Sequence, residues 1–193
     1  MRFMAECPNV EVQLISTNRR VDIIHEGIDI AIRVRFPPIE ESDLVMKFLA
    51  HSPQRLIASP KVLADFGRPV LPADLNSFPT MAWGPPLGEH VWRLDGPEGS
   101  EATIRHAPRL VTEDMVTLRL AALRGVGIVQ MPAFIVGSDI RDGRLVRVLP
   151  EWSPKAGIIH AVFPSRRGQL PSVRALLDYL AERYAELARE ESS

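Results

Sequence analysis

The sequence predicts an α/β protein, and three observations carry that prediction. Strand-like and helix-like stretches alternate along nearly all 193 residues. Twice a helix-like stretch ends in a glycine that opens onto a short apolar run, as a helix does when it hands the chain to a buried strand. Finally, a Pro- and Gly-rich middle, from Arg68 to Gly99, is bracketed by such units. That arrangement suggests two lobes with two chain crossings.

The elements follow in order. "VEVQLI" (Val10 to Ile15) alternates apolar and polar residues, the pattern of a half-buried strand. In "NRRVDIIHEG", Val21, Ile24 and Ile28 keep helical spacing, and Gly27 stands where a helix stops. "IDIAIRV" (Ile28 to Val34) is β-branched and mostly apolar, so it reads as a buried parallel strand that completes a βαβ unit. Phe36-Pro37-Pro38 breaks the pattern. "DLVMKFLAHSPQRLIASP" reads as an extended stretch interrupted at Ser52-Pro53. "SPKVLADFG" is a short helix with Pro60 at its first position and Gly67 at its end. Trp83 and Trp92 fall in strands of the Pro/Gly-rich middle, and "EATIRHAPRLV" forms one or two strands more. "EDMVTLRLAALRG" is a helix led by acids and closed by Arg124-Gly125, with Val116, Leu120 and Leu123 on its inner face. "GIVQMP" is a buried strand, "AFIVGSDIRDG" a short helix, and "RLVRVLP" and "GIIHAVFP" two strands. "LPSVRALLDYLAERYAEL" is a long amphipathic helix whose stripe is Val173, Leu176, Leu177, Leu180 and Tyr184.

Gly125-Val126-Gly127 resembles a phosphate loop in spacing only. A dinucleotide loop runs from strand through Gly-x-Gly-x-x-Gly into helix, so that a positive helix N-terminus meets the phosphate. Here the glycines follow a helix and precede a strand, and the third position is Gln130. The helix C-terminus carries negative partial charge and repels phosphate. Gly125 therefore reads as a helix cap and Gly127 as a point of close packing.

Composition narrows the function. Hydrophobic residues make up 46% and charged residues 24%, ordinary values for a globular α/β chain. The 23 basic and 24 acidic residues leave a net charge of -1, without the basic excess that gripping a nucleic acid needs. The single cysteine, Cys7, forms no disulfide within the chain and reads as a packed thiol near a helix end in a reducing compartment. No apolar run reaches the ~18 residues of a membrane span, and the start shows no signal-peptide pattern. The expectation is a cytoplasmic protein that does not contact membrane.

Catalytic signals are weak. His25, His51, His90, His106 and His160 are scattered singly, without metal-ligand spacing, and "HEGID" has no second histidine. A nucleophile elbow is absent. Glu40-Glu41, Glu113-Asp114 and Glu190-Glu191 fall in loops or at helix ends, where capping and surface roles explain them. "SRRG" (Ser165 to Gly168) reads as a solvated turn. No catalytic residue, metal or cofactor is expected. Thr17 lies past a strand end, and Arg33 and Arg35 lie at the end of another. Ligands of open α/β sheets bind beyond the carboxyl ends of strands, and a hydroxyl with guanidinium groups suits a carboxylate. The expectation is that at most one of the two arginines faces such a ligand.

"NRRVDIIHEGIDIAIRVR", "LIASPKVLADFGRPVLPADL", "EDMVTLRLAALRGVGIVQMPAFIV", "GRLVRVLPEW" and "HAVFPSRRGQLPSVRALLDYLAERY" occur in this order and spacing. Together they resemble the effector-binding domain of LysR-type transcriptional regulators over nearly the whole chain. The resemblance implies a periplasmic-binding-protein-like fold: two Rossmann-like lobes joined by two crossing strands, with a small effector bound between them. Lobe I would be residues 1–53 plus 155–193, and lobe II residues 54–154. It also implies effector contacts at Thr17, at Arg33, Val34 and Arg35, at Trp83 and Gly84, and at Glu113 and Met131. Many relatives carry Asn where this chain has Glu113. Homodimers or tetramers are implied by the family alone, as is DNA binding through a winged helix-turn-helix. That module has no counterpart here, nor does the first strand of lobe I ahead of "FMAECPNV", so the expectation is a truncated chain with an exposed strand edge.

The leading reading is the sensor module of a transcription regulator, binding a small organic or aromatic acid. A solute-binding protein of the same fold would need an export signal, and a small α/β enzyme would need a convergent catalytic set.

Overall fold

A computed structural model describes the chain except residues 1, 18, 20, 37–43, 86, 168–169 and 192–193. The Pro37-Pro38 break, the Glu40-Glu41 pair and Gly168 of "SRRG" lie outside the described residues. The fold is mixed α/β, in two compact units: Met1–His51 with Gly157–Ser193, and Ser52–Ala156.

Unit 1 is a three-stranded sheet with order β1-β11-β2, made of β1 (Ala31–Arg35), β2 (Val45–Ser52) and β11 (Gly157–Phe163). The long helix α5 (Pro171–Glu191) covers one face. Its Val173 and Leu177 pack on Leu49, Ile159, Ala161 and Phe163, with Leu180 and Tyr184 partly buried beside them. A short helix, α1 (Arg2–Glu6), brings Phe3 against Tyr179 of α5, and Cys7 follows it as a half-buried free thiol.

Several expectations fail in this unit. Residues 10–16 form no strand, and Leu14 and Ile15 are 85% and 65% exposed. Alternation alone makes no strand without a partner to take the backbone hydrogen bonds. The expected helix before Gly27 is one turn, closed by Glu26 N–H to the Asp22 carbonyl and Ile28 N–H to the Ile23 carbonyl, both at 2.9 Å. Asp22 accounts for its start, because its carboxylate accepts the N–H groups of Ile24 and His25. The βαβ unit is therefore absent among the described residues. β1 is neither parallel nor buried. It runs antiparallel to β11 at the sheet edge, and Ile32 and Val34 are about half exposed. They share a face with Ala161 and Ile159, their cross-strand partners, but α5 reaches only as far as β11.

Unit 2 is built on β3 (Gln54–Ala58), flanked by β8 (Val129–Pro132) and β9 (Val146–Arg147), both antiparallel to it. Leu56 and Ala58 face one core with Val62, Leu63, Trp92, Leu94 and Ile104. Ile57 faces the other, with Met81, Leu118, Ala122, Met131 and Val136. Burial on both faces explains the continuous apolar run "LIA". The extended stretch breaks at Pro53 as expected, but "RLVRVLP" yields only the two residues of β9. Helix α2 (Pro60–Phe66) starts at Pro60 and ends at Gly67, whose φ is 88°. A 3-10 turn over Pro72–Ser77 follows, and the Asp74 carboxylate accepts the N–H groups of Val70 and Leu71. β4 (Met81–Trp83) pairs in parallel with β7 (Leu110–Thr112). β5 (His90–Asp95) and β6 (Glu101–His106) form a hairpin, extended by β10 (Ser153–Pro154).

Helix α3 (Met115–Leu123) is capped by Asp114, which accepts the N–H groups of Val116 and Thr117. Its inner face differs from the expected one. Leu118 and Ala122 are buried, Leu123 packs partly, and Val116 and Leu120 are mostly exposed. The reason is Asp139 on α4 (Ala133–Arg141), which is fully buried and holds Arg119 of α3 through Nε at 2.5 Å and Nη2 at 2.8 Å. Arg144 adds a third contact at 2.8 Å. That ion cluster turns α3 so that Arg119 points toward α4. Gly125 has φ 78°, the left-handed conformation of a helix end. A Cβ on Gly127 would stand 2.5 Å from the Pro79 carbonyl oxygen, so both glycines play the local roles that their order implies.

Candidate functional site

In unit 1 the candidates lie on β1 and on the segment before it. Arg33 is half-buried, and its Nη2 donates to the Val21 carbonyl at 2.9 Å. Arg33 is the cross-strand partner of His160, so the two share the sheet face opposite the α5 core. Burial holds the His160 ring below the usual imidazole range. The Ile158 carbonyl accepts from its Nδ1–H and opposes this, while the charges of Arg35 and Arg33 add to the lowering. Arg35 is exposed one pleat further on and on the same face, so the expectation that at most one of the two arginines points toward a ligand fails: residues two apart on a strand share a face. Val34 points the other way and touches Gly157, where a Cβ would come within 2.9 Å of Val34 Cγ1. Thr17 is exposed, and its Oγ1 accepts the Arg19 N–H at 3.3 Å. It follows no strand and precedes no helix, so the strand-end argument for it falls away. Arg19 in turn grips Glu26 through two bonds at 2.7 and 2.6 Å. Arg167 of "SRRG" pairs with Asp29 at 3.2 Å on the surface.

In unit 2 the structure gathers Trp83, Gly84 and Glu113 in one place. β4 and β7 are parallel and in register, with Trp83 opposite Thr112, so their carboxyl ends finish together. Beyond them the Trp83 indole N–H donates to the Glu113 carbonyl at 3.0 Å, and the Gly84 N–H to the Thr112 carbonyl at 3.3 Å. Gly84 takes φ 144°, a conformation that side chains rarely adopt. Trp83 stays 47% exposed, a flat aromatic face above the start of α3. Asp114 stands between Glu113 and that helix. Its carboxyl lies below the ordinary range, chiefly because the Thr117 hydroxyl and the Val116 N–H bond to it. This is the position where open α/β sheets present ligand contacts, at strand carboxyl ends beside a helix start. Met131 lies elsewhere, fully buried in the core beneath α3 and α4.

The sequence assigns Asp114 a capping or surface role and His160 of unit 1 no role in a site, and it does not single out Thr112. The capping role of Asp114 holds, as an acid directly before a helix. Thr112 and His160 carried no local signal. Among the described residues, no group of three His, Cys, Asp or Glu side chains could hold a metal ion. No helix among them is long and apolar enough to cross a membrane.

Comparison with known proteins gives a consistent picture. The family described as the LysR substrate binding domain matches residues 1–185. The HTH-type transcriptional regulator PtxR of Pseudomonas aeruginosa is 29% identical over 180 residues, covering 93% of this chain and 57% of that protein. YhjC of Escherichia coli, an uncharacterized HTH-type transcriptional regulator, is 33% identical over 186 residues, covering 93% of this chain and 60% of that protein. The regulatory domain of CrgA, a LysR-type transcriptional regulator from Neisseria meningitidis, superimposes with a TM-score of 0.81 at 28% identity, covering 95% of this chain and 88% of that one. The chain thus spans about three-fifths of the length of the curated relatives it matches. These relatives are named as transcription regulators, not as enzymes, and the fold is that of the periplasmic-binding-protein-like regulatory domains.

Proposed function

Since this chain belongs to the LysR substrate-binding-domain family, we propose that it is the ligand-sensing part of a transcription regulator and that its effector is a small organic anion. The observation that carries the first half is the family match across residues 1–185. The second half rests on chemistry. Arg33 and Arg35 concentrate positive charge at the end of β1, on the face they share with His160, whose ring burial favours in the neutral form. A carboxylate accepts charge-assisted bonds from such a group. Within unit 2, Trp83 and Gly84 offer an aromatic face and a close backbone approach, and Glu113 an exposed acid that suits a hydroxyl or amine donor rather than a carboxylate. The exposed indole suits the planar part of an aromatic acid. Thr17 stays in the candidate set, whereas Val34 points away from the two arginines and Met131 is sealed in the core. Effector binding then shifts a population of conformations in a homo-oligomer whose DNA contacts lie in another domain of the longer protein.

The experiment is a thermal-shift screen of the chain against aliphatic and aromatic carboxylates. A ligand present at about 100 times its Kd adds ~2.7 kcal/mol to stability. A hit should weaken roughly 10- to 100-fold in Arg33→Ala, the loss of a bond to a charged group, and should weaken in Thr17→Val and Trp83→Ala. Equal affinity in all three variants would remove this site. A screen in which only neutral compounds bind would remove the anion.

A further inference from the structure

We propose that His106 is a proton-operated latch between the β5–β6 hairpin and β4, the strand that ends at Trp83. The latch goes beyond the effector reading and stands or falls without it, because every group in it belongs to unit 2 and none is an effector contact.

His106 is the last residue of β6, and its cross-strand partner is His90 on β5. The imidazole stacks on Trp92, with ring centroids 4.0 Å apart and planes 25° from parallel. Its Nδ1 lies 2.8 Å from the Thr80 hydroxyl oxygen. Thr80 is buried and directly precedes β4. Its carbonyl accepts the Arg109 N–H at 2.9 Å, and it bridges to Ile128, the residue just before β8. One ring therefore ties two separate sheets together: the hairpin through Trp92, and β4 through Thr80. The β4–β7 pair carries Trp83 and Thr112 at its far end, so a shift at Thr80 enters the strand whose end holds the exposed indole.

The surroundings favour the neutral ring. His90 faces it with ring centroids 6.1 Å apart. The other charged groups on the packed elements are already engaged. Glu89 pairs with Arg105 across the hairpin. Asp74, on the 3-10 turn against β6, accepts the N–H groups of Val70 and Leu71. Arg109, in the loop after β6, is itself a cation. Burial first, and His90 second, hold the His106 ring down to about 4. Protonation puts a cation against His90 without a counter-ion among the described residues. The ring then moves toward water, the Trp92 stack opens, and Thr80 loses its partner.

The test is an NMR titration of the labelled chain from pH 7.5 to pH 4, following the His106 ring and the amides of Thr80, Met81, Ala82 and Trp83. The expected result is a His106 midpoint well below 6.5, with the four amides moving at the same midpoint. In His106→Gln the amides should stay fixed over that range. In His90→Gln, which leaves the latch residues in place, the His106 midpoint should rise. The proposal is overturned if His106 titrates near 6.5, or if it titrates while the four amides stay still. It is also overturned if those amides move alike in His106→Gln. Should that variant not fold, an unchanged His106 midpoint in His90→Gln overturns it alone.

Discussion

Replacing Asp139 by Asn tests the ion cluster that orients α3. Asp139 is fully buried and contacts both Arg119 and Arg144. Its own carbonyl also accepts the N–H groups of Arg144 and Leu145, at 2.9 and 3.0 Å, and Asn keeps those backbone bonds. What changes is the side chain. One carboxylate oxygen becomes an amide N–H₂ that faces guanidinium donors, and the negative charge is lost. Removing one partner of a wholly buried pair costs about 3–5 kcal/mol. Here the cost is smaller, because Arg119 and Arg144 are 28% and 52% exposed and can turn toward water. We expect about 2–3 kcal/mol for Asp139→Asn, scaled down from that range. Arg119→Ala should cost about 1–2 kcal/mol, since it removes the two-bond partner of a buried charge. Arg144→Ala should cost at most about 1 kcal/mol, as for a solvent-exposed pair. The assay is equilibrium urea unfolding at pH 7 followed by tryptophan fluorescence. Trp83, Trp92 and Trp152 all belong to unit 2, so the signal reports the unit that carries the cluster. A value for Asp139→Asn within about 0.5 kcal/mol of wild type, the range of a neutral surface change, would refute the reasoning. So would an Arg144→Ala cost equal to that of Arg119→Ala.

Other predictions follow from single contacts. Gly127→Ala places a methyl against the Pro79 carbonyl and should cost about 1–3 kcal/mol in the same assay, as overpacking does; an unchanged midpoint would show that the turn yields freely. Asp114→Ala removes the α3 cap and should cost about 1 kcal/mol, whereas Asp114→Asn, which keeps an acceptor, should recover most of it. The half-buried His106 and the buried His160 both have folded values below the unfolded 6.5. Their neutral forms therefore contribute stability above that value, and it is lost as pH falls. For His106 the loss runs from about 6.5 down to about 4. Urea midpoints measured from pH 7.5 to 4.5 should fall for wild type and fall less for His106→Gln; parallel curves would contradict the linkage.

What was legible in the sequence was local. Pro60 and Gly67 bracket α2, and Asp114 and Gly125 bracket α3, because a missing N–H, a side-chain cap and a positive φ act within one turn of chain. The order of Gly125 and Gly127, after a helix and before a strand, excluded a phosphate loop for the same reason. The break between β2 and β3 showed at Pro53, which cannot donate to a strand ladder. The ordered motifs of the whole chain pointed to the LysR family, which the comparisons bear out.

Other features were settled only by tertiary contacts. "VEVQLI" alternates as a strand should, yet it forms none, because alternation does not supply a hydrogen-bonding neighbour. "IDIAIRV" reads as an interior strand, yet β1 lies at an edge with Ile32 and Val34 half exposed, because α5 reaches only β11. Helix α3 is apolar on nearly every side, so period alone could not choose between Val116-Leu120 and Leu118-Ala122. Asp139, twenty residues further along than Arg119, made that choice by drawing the guanidinium toward α4. The site divides along the same line. Trp83, Gly84 and Glu113 meet because β4 and β7 pair in parallel and in register, a pairing between strands separated by the whole hairpin. The sequence by itself determined where elements begin and end; which face each buries, and which side chains meet, depended on the partner that the tertiary fold placed beside it.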